Sequence, residues 1–155
     1  MSFSISGLPI EQFQPLFAMD DDALAARGVR RVVADAKPGY PCRISLNDAE
    51  PGQTVLLMNH EHHAVDSPYR AAFAIYVSQA ADRTWTSRDE TPHALRGRPI
   101  SLRAFNADGM LVGAEVAPGD SIEAAIERRF EDPRAAYLHA HNAAHGCFVA
   151  RVDRA

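Results

Sequence analysis

Cysteine is scarce in this 155-residue chain: Cys42 and Cys147 are the only two. Long apolar runs are absent, the longest being AAFAIYV (71–77), and a membrane-spanning helix needs roughly 20 apolar residues. Basic residues are not in excess. Sixteen Lys and Arg stand against twenty Asp and Glu, for a formal net charge of −4, with the two signs interspersed. No basic stripe of the kind that tracks a phosphate backbone is present, so nucleic acid is excluded as a partner. The start, MSFSISGLPIEQF, has no basic region followed by an apolar block, so no signal peptide is expected. A cytoplasmic location follows as an expectation, and in that compartment the two cysteines are expected as thiols. HExxH, paired CxxC, an EF-hand loop, GxSxG, a P-loop and GxGxxG are all missing, which removes the usual markers of several reaction classes.

What the chain has is enough hydrophobic residue, 46%, for one core at this length. Turn signals recur about every ten residues, at KPGYP (37–41), EPGQ (50–53), NADG (106–109), APGD (117–120) and NAAHG (142–146). Short runs of Val, Ile, Leu and aromatics lie between them. This spacing predicts strands near 29–34, 42–46, 54–59, 69–77, 100–105, 110–116, 135–141 and 147–152, with NADG closing a hairpin. DDDALAARG (20–28) predicts a short helix, with aspartates at its positive end and Gly28 as a left-handed stop. A second helix follows APGD, capped by Asp120, with Ile122, Ile126 and Phe130 as its apolar stripe. IEQFQPLF (10–17) predicts a helical turn interrupted at Pro15. The polar stretch 82–99 predicts a surface excursion or mobile flap. The expected fold is a single α+β domain over 1–155, a mainly antiparallel sheet with two or three short helices.

Six of the seven histidines fall in two clusters, NHEHH (59–63) and HAHNAAH (139–145); His93 stands apart, a solvated loop residue by its setting. TVLLM, apolar on both faces, leads into the first cluster. If the extended path continues, His60 and His62 share one face, and Asn59, Glu61 and His63 the other. If NAAHG closes the last hairpin, His141 faces Cys147, His139 faces Val149 and Tyr137 faces Arg151. Leu138, Ala140, Phe148, Ala150 and Val152 then form the core face. The opposite face carries Tyr137, His139, His141, Cys147, Val149 and Arg151. A one-residue slip of register would exchange the two faces.

Histidines two apart on a strand project in parallel, and two such pairs offer up to four imidazoles to one divalent ion. The expected metal ligands are His60, His62, His139 and His141, with Asp66, Glu61 or Cys147 able to replace one. Zinc, iron, manganese and nickel all accept such a donor set. Asn59, Glu61, Tyr137, Asn142, Cys147 and Arg70 are the expected ligand-binding residues beside it. The alternative is a metal-free pocket. There histidines act as general acid or base and Arg70, Arg43 or Arg151 holds a small anion. A third reading is a non-enzymatic protein-interaction module. Enzyme status is left open, as is a homodimer; the expected partner is a small molecule or a metal ion.

GQTVLLMNHEH ends in the His-x-His of the first cupin metal motif. Its glycine spacing departs from that pattern, and no glutamate follows at the required distance. PCRISLNDAEPGQTVLLMNHEHHAVDSPYRAAFAIYV (41–77) and YLHAHNAAHGCFVARVDR (137–154) instead resemble a bacterial family, domain of unknown function 1203. The resemblance runs from about Gly39 to the end of the chain. It implies a small bacterial protein and carries over no activity, cofactor or catalytic residue.

Overall fold

The computed structural model describes residues 1–155. Nine strands occur in chain order: β1 (Phe3–Ser6), β2 (Arg30–Val33), β3 (Thr54–His63), β4 (Ala71–Ser78), β5 (Thr86–Arg88), β6 (Pro99–Phe105), β7 (Leu111–Pro118), β8 (Tyr137–Asn142) and β9 (Phe148–Arg154). Three helices accompany them: α1 (Gln14–Phe17), α2 (Asp21–Ala25) and α3 (Ile122–Glu131). Every strand pairing is antiparallel, within a six-stranded sheet ordered β5-β1-β9-β8-β6-β7 and a three-stranded sheet ordered β2-β3-β4. The α+β class expected from the turn spacing is the class observed. No helix is long and apolar enough to cross a membrane.

Three layers result. On one face of the large sheet, Ile122, Ile126 and Phe130 of α3 pack with Leu102, Leu138, Ala150 and Val152. Its other face meets the small sheet, where Leu56 and Met58 of β3 and Ile75 and Val77 of β4 pack with Phe13, Leu24 and Phe148. β8 therefore has apolar or aromatic neighbours on both sides, and five of its six residues are buried.

The local rules held at several points. Asp20 accepts a 2.8 Å bond from the Ala23 amide and caps α2. Gly28 ends that segment at φ +69°. NADG joins β6 to β7, with Gly109 at φ +76°. Others were overridden. Pro15 stands in the first turn of α1, where its missing N–H costs nothing, and so helps to begin the helix it was expected to break. Asp120 does not cap α3; its carboxylate accepts from the Gly97 amide at 3.1 Å. Residues 42–46 form a tight turn, not a strand, with the Leu46 amide bonded to the Cys42 carbonyl. β1 and β5, both short, carried no clear sequence signal.

The stretch 82–99 is not a free flap. It contains β5 and a single 3-10 turn, His93–Leu95, whose Leu95 is fully buried in the α3-side core. Gly119 packs against it so closely that an added Cβ would lie 1.7 Å from the Leu95 carbonyl oxygen. That neighbour is backbone and cannot rotate away. Gly119→Ala should therefore cost about 3 kcal/mol, in the range of severe overpacking. Urea unfolding checks this; a midpoint equal to that of the parent would show that the stretch moves freely after all.

Candidate metal centre

The histidine clusters meet where β3 crosses β8 between the two sheets. β8 keeps strict alternation, so Leu138 and Ala140 enter the α3-side core while Tyr137, His139 and His141 face the small sheet. From β3, Leu56, Met58, His60 and His62 follow one another along the inward face. Between His60 and His63 the ladder shifts: His60 pairs with Phe73 and His63 with Ala71, so β3 carries one extra residue. A bulge of this kind reverses the side-chain parity beyond it. His63, expected beside Asn59 and Glu61 on the outer face, turns inward and is 3% exposed.

A second bulge corrects the last hairpin. Tyr137 pairs with Asp153, His139 with Arg151 and His141 with Phe148, with the shift at Val149. Phe148 consequently lies on the histidine side and Val149 in the α3-side core, the reverse of the expected assignment. The Phe148 ring stacks on His62 at 5.3 Å and stands edge-on to His139 at 5.0 Å. Phe105 closes the other side, 4.2 Å from His63 and 5.2 Å from His139 between ring centroids.

Inside this aromatic frame, one nitrogen from each of His62, His139 and His141 lies within 4.8 Å of the others. His139 and His141 are 2% and 1% exposed. His141 Nδ1 donates to the Gly146 carbonyl at 3.0 Å, which leaves Nε2 with a free lone pair. Buried Nδ1 atoms of His62 and His139 have no partner at all, a costly condition for polar atoms unless something else satisfies them. His63 is different. Its Nδ1 donates to the Tyr69 carbonyl at 2.8 Å and its Nε2 accepts from the Tyr137 hydroxyl at 2.7 Å, so both nitrogens are committed.

Burial pushes the His139 pKa down to about 2, helped by the neighbouring His63, His141 and His62. His141 is lowered to about 3, again chiefly by burial, with Arg103 adding to the effect. His62 is lowered to about 4 by burial and by His60 and His63. No carboxylate offsets these losses, for the only histidine–carboxylate approach within 4.0 Å is that of His93 to Asp48. The three rings are thus neutral at pH 7, the form that binds metal.

The remaining expected site residues are dispersed. His60 packs on Phe13 at 5.5 Å and stands outside the triad, one strand repeat before His62. Asn59 is exposed on the outer face. Glu61 is held by Arg70 through two 2.9 Å bonds at the surface. Arg70 lines a cleft of about 360 Å³ that opens onto His62, His63 and His141. Tyr137 positions His63 rather than facing that cleft. Asn142 Oδ1 accepts from the Ala144 amide at 3.1 Å and shapes the hairpin turn. Cys147, a free thiol like Cys42, meets Arg43 instead of His141.

Arg103 was missed by sequence reasoning. It sits on β6 directly beside His139, lines the same cleft, and has no acidic partner. Nothing in the alternating strand SLRAF marks it, because its role depends on the β6–β8 pairing.

Tyr137→Phe removes the hydroxyl that satisfies His63 Nε2 and leaves that buried nitrogen unpaired. Thermal unfolding should show a loss of about 1–3 kcal/mol. An unchanged melting temperature would mean that the bond contributes nothing.

No curated protein and no solved structure matches the chain. A family model described as "Protein of unknown function (DUF1203)" matches residues 39–154. Both histidine clusters lie inside the matched span, and the chain belongs to that family of proteins of unknown function.

Proposed function

We propose that the chain binds one divalent transition metal through His62, His139 and His141, and that the adjoining cleft delivers a small anionic molecule to it. The carrying observation is the convergence of three neutral imidazoles, two of them with unpartnered buried nitrogens. Nitrogens around a tetrahedral ion at 2.0–2.1 Å stand about 3.4 Å apart, so the triad needs to contract by about 1 Å to close on it. The Gly146 carbonyl already orients His141 in the manner typical of metal-bound histidine.

Three neutral protein ligands leave the ion's charge uncompensated and at least one position open, the pattern of catalytic rather than structural zinc. A donor set without carboxylate or thiolate suits zinc or nickel better than manganese. When bound, such an ion supplies Lewis acidity and an acidified water. The chain's own contributions are orientation by Phe105 and Phe148 and attraction of an anion by Arg103.

The metal-free acid/base reading is less well supported. Rings with pKa values of about 2 to 4 hold no imidazolium proton at neutral pH and are weak bases there. Elemental analysis of untagged protein tests the proposal. It expects one equivalent of metal per chain, or one equivalent taken up by chelator-treated protein on titration with zinc or nickel. No uptake of either ion would refute it.

A further inference from the structure

A second cavity, of about 340 Å³, lies on the other side of the β8–β9 turn. Its walls include Phe73, Ile75 and Tyr76, and its only charged groups are Arg43 and Arg98. Arg43 is 2% exposed, the largest fully buried side chain in the molecule. Its Nη2 donates to Cys147 Sγ at 3.2 Å, while Nε and Nη1 have no partner. Neither arginine has a carboxylate within ion-pair distance; Arg98 Nε donates only to the Arg96 carbonyl, at 3.3 Å. Burial lowers the proton affinity of Arg43, Cys147 partly restores it, and both guanidiniums line the one cavity. A buried guanidinium without a counter-charge costs several kcal/mol, a cost that a bound anion would offset.

We propose that this cavity is a binding site for a small carboxylic acid with an apolar body. The carboxylate is held between Arg43 and Arg98, and the body packs on Phe73, Ile75 and Tyr76. A phosphate dianion is the competing occupant, because Asn142 and His145 also line the cavity; the carboxylic acid is favoured because its body, unlike the remaining phosphate oxygens, matches the apolar walls. Cys147 lines the same cavity, so an occupant shields its sulfur. The site is independent of the metal reading and does not require it.

Calorimetry with benzoate, acetate, inorganic phosphate and benzyl alcohol tests this, on chelator-treated and on metal-loaded protein. Benzoate should bind one site with a Kd below about 1 mM, a reasonable efficiency for a ligand of its size. It should bind at least about tenfold more tightly than acetate, for its buried ring. Benzyl alcohol should not bind measurably. Arg98→Gln, at a half-buried position that leaves Arg43 in place, should weaken benzoate at least about tenfold, with circular dichroism unchanged. Benzoate should also slow alkylation of Cys147 by iodoacetamide, while Cys42, buried, stays unreactive throughout. No benzoate binding at about 10 mM, a concentration that detects the weakest specific ligands, would overturn the proposal. So would tighter binding of phosphate, unchanged affinity in Arg98→Gln, or benzoate binding that appears only when metal is loaded.

Discussion

His139→Ala should abolish stoichiometric metal binding, whereas His60→Ala should leave it intact. His139 is buried, with its ring centroid 6.0 Å from that of His62 and 6.1 Å from that of His141. Loss of one of three protein ligands should weaken zinc or nickel by more than about 100-fold, beyond the 10- to 100-fold typical of losing a mere supporting residue. His62→Ala and His141→Gln should behave alike. The parent should gain about 2.7 kcal/mol at a hundredfold excess of metal over Kd, a rise in Tm of about 5–10 °C for a domain of this size. Each triad variant should lose that rise. Metal titration and melting with and without metal read this directly, with circular dichroism to confirm that each variant folds. Equal loss of binding in His60→Ala and His139→Ala would sink the assignment, because His60 lies against Phe13 and outside the triad.

The second large effect is acid sensitivity of the metal-free protein. In the folded state His62, His139 and His141 have pKa values of about 4, 2 and 3, against an ordinary value of 6.5. The unfolded chain therefore binds protons that the folded chain refuses as pH falls below 6.5. The stabilisation is fully present above that pH and is lost as pH falls toward the folded values. Near pH 5 all three rings are protonated almost only in the unfolded state, which gives a slope of about 4 kcal/mol per pH unit. A stability of about 5–12 kcal/mol, within the typical domain range, would be exhausted within about one and a half to three and a half units, so unfolding should centre between about pH 3 and pH 5. Urea unfolding at a series of pH values, in chelator, measures the slope. His141→Asn should lower it by about one proton, or about 1.4 kcal/mol per pH unit. Stability that stays constant from pH 7 to pH 4 would show that the rings are not shut away from water.

Much of this was legible in the residues. The turn spacing gave the antiparallel α+β fold, and Asp20 with Gly28 marked α2. Alternation along YLHAHN separated Leu138 and Ala140 from Tyr137, His139 and His141, and that separation is the one observed. The failures share a cause. His63 and Phe148 were assigned to the wrong faces because a bulge separates each from the rest of its strand, and an extra residue in a strand leaves no mark in a pattern of period two. Cys147 was drawn toward His141 by a hairpin register that the structure shifts by one residue at His141 and by two beyond the bulge. The segment 82–99 looked mobile because it is polar, although Ala94 and Leu95 anchor it in the core and Trp85 packs against that core.

The amino-acid order by itself determined which side chains could act: two histidine-rich strands, each with its polar face defined by alternation. Only the tertiary structure decided that those faces meet, that His60 is left aside, and that Arg103 and Arg43 stand in cavities without acids. Alternation is a property of one strand and is set by local backbone geometry. The pairing of strands, the position of a bulge and the stacking of one sheet on another depend on contacts between residues far apart in the chain, which no short stretch of sequence contains.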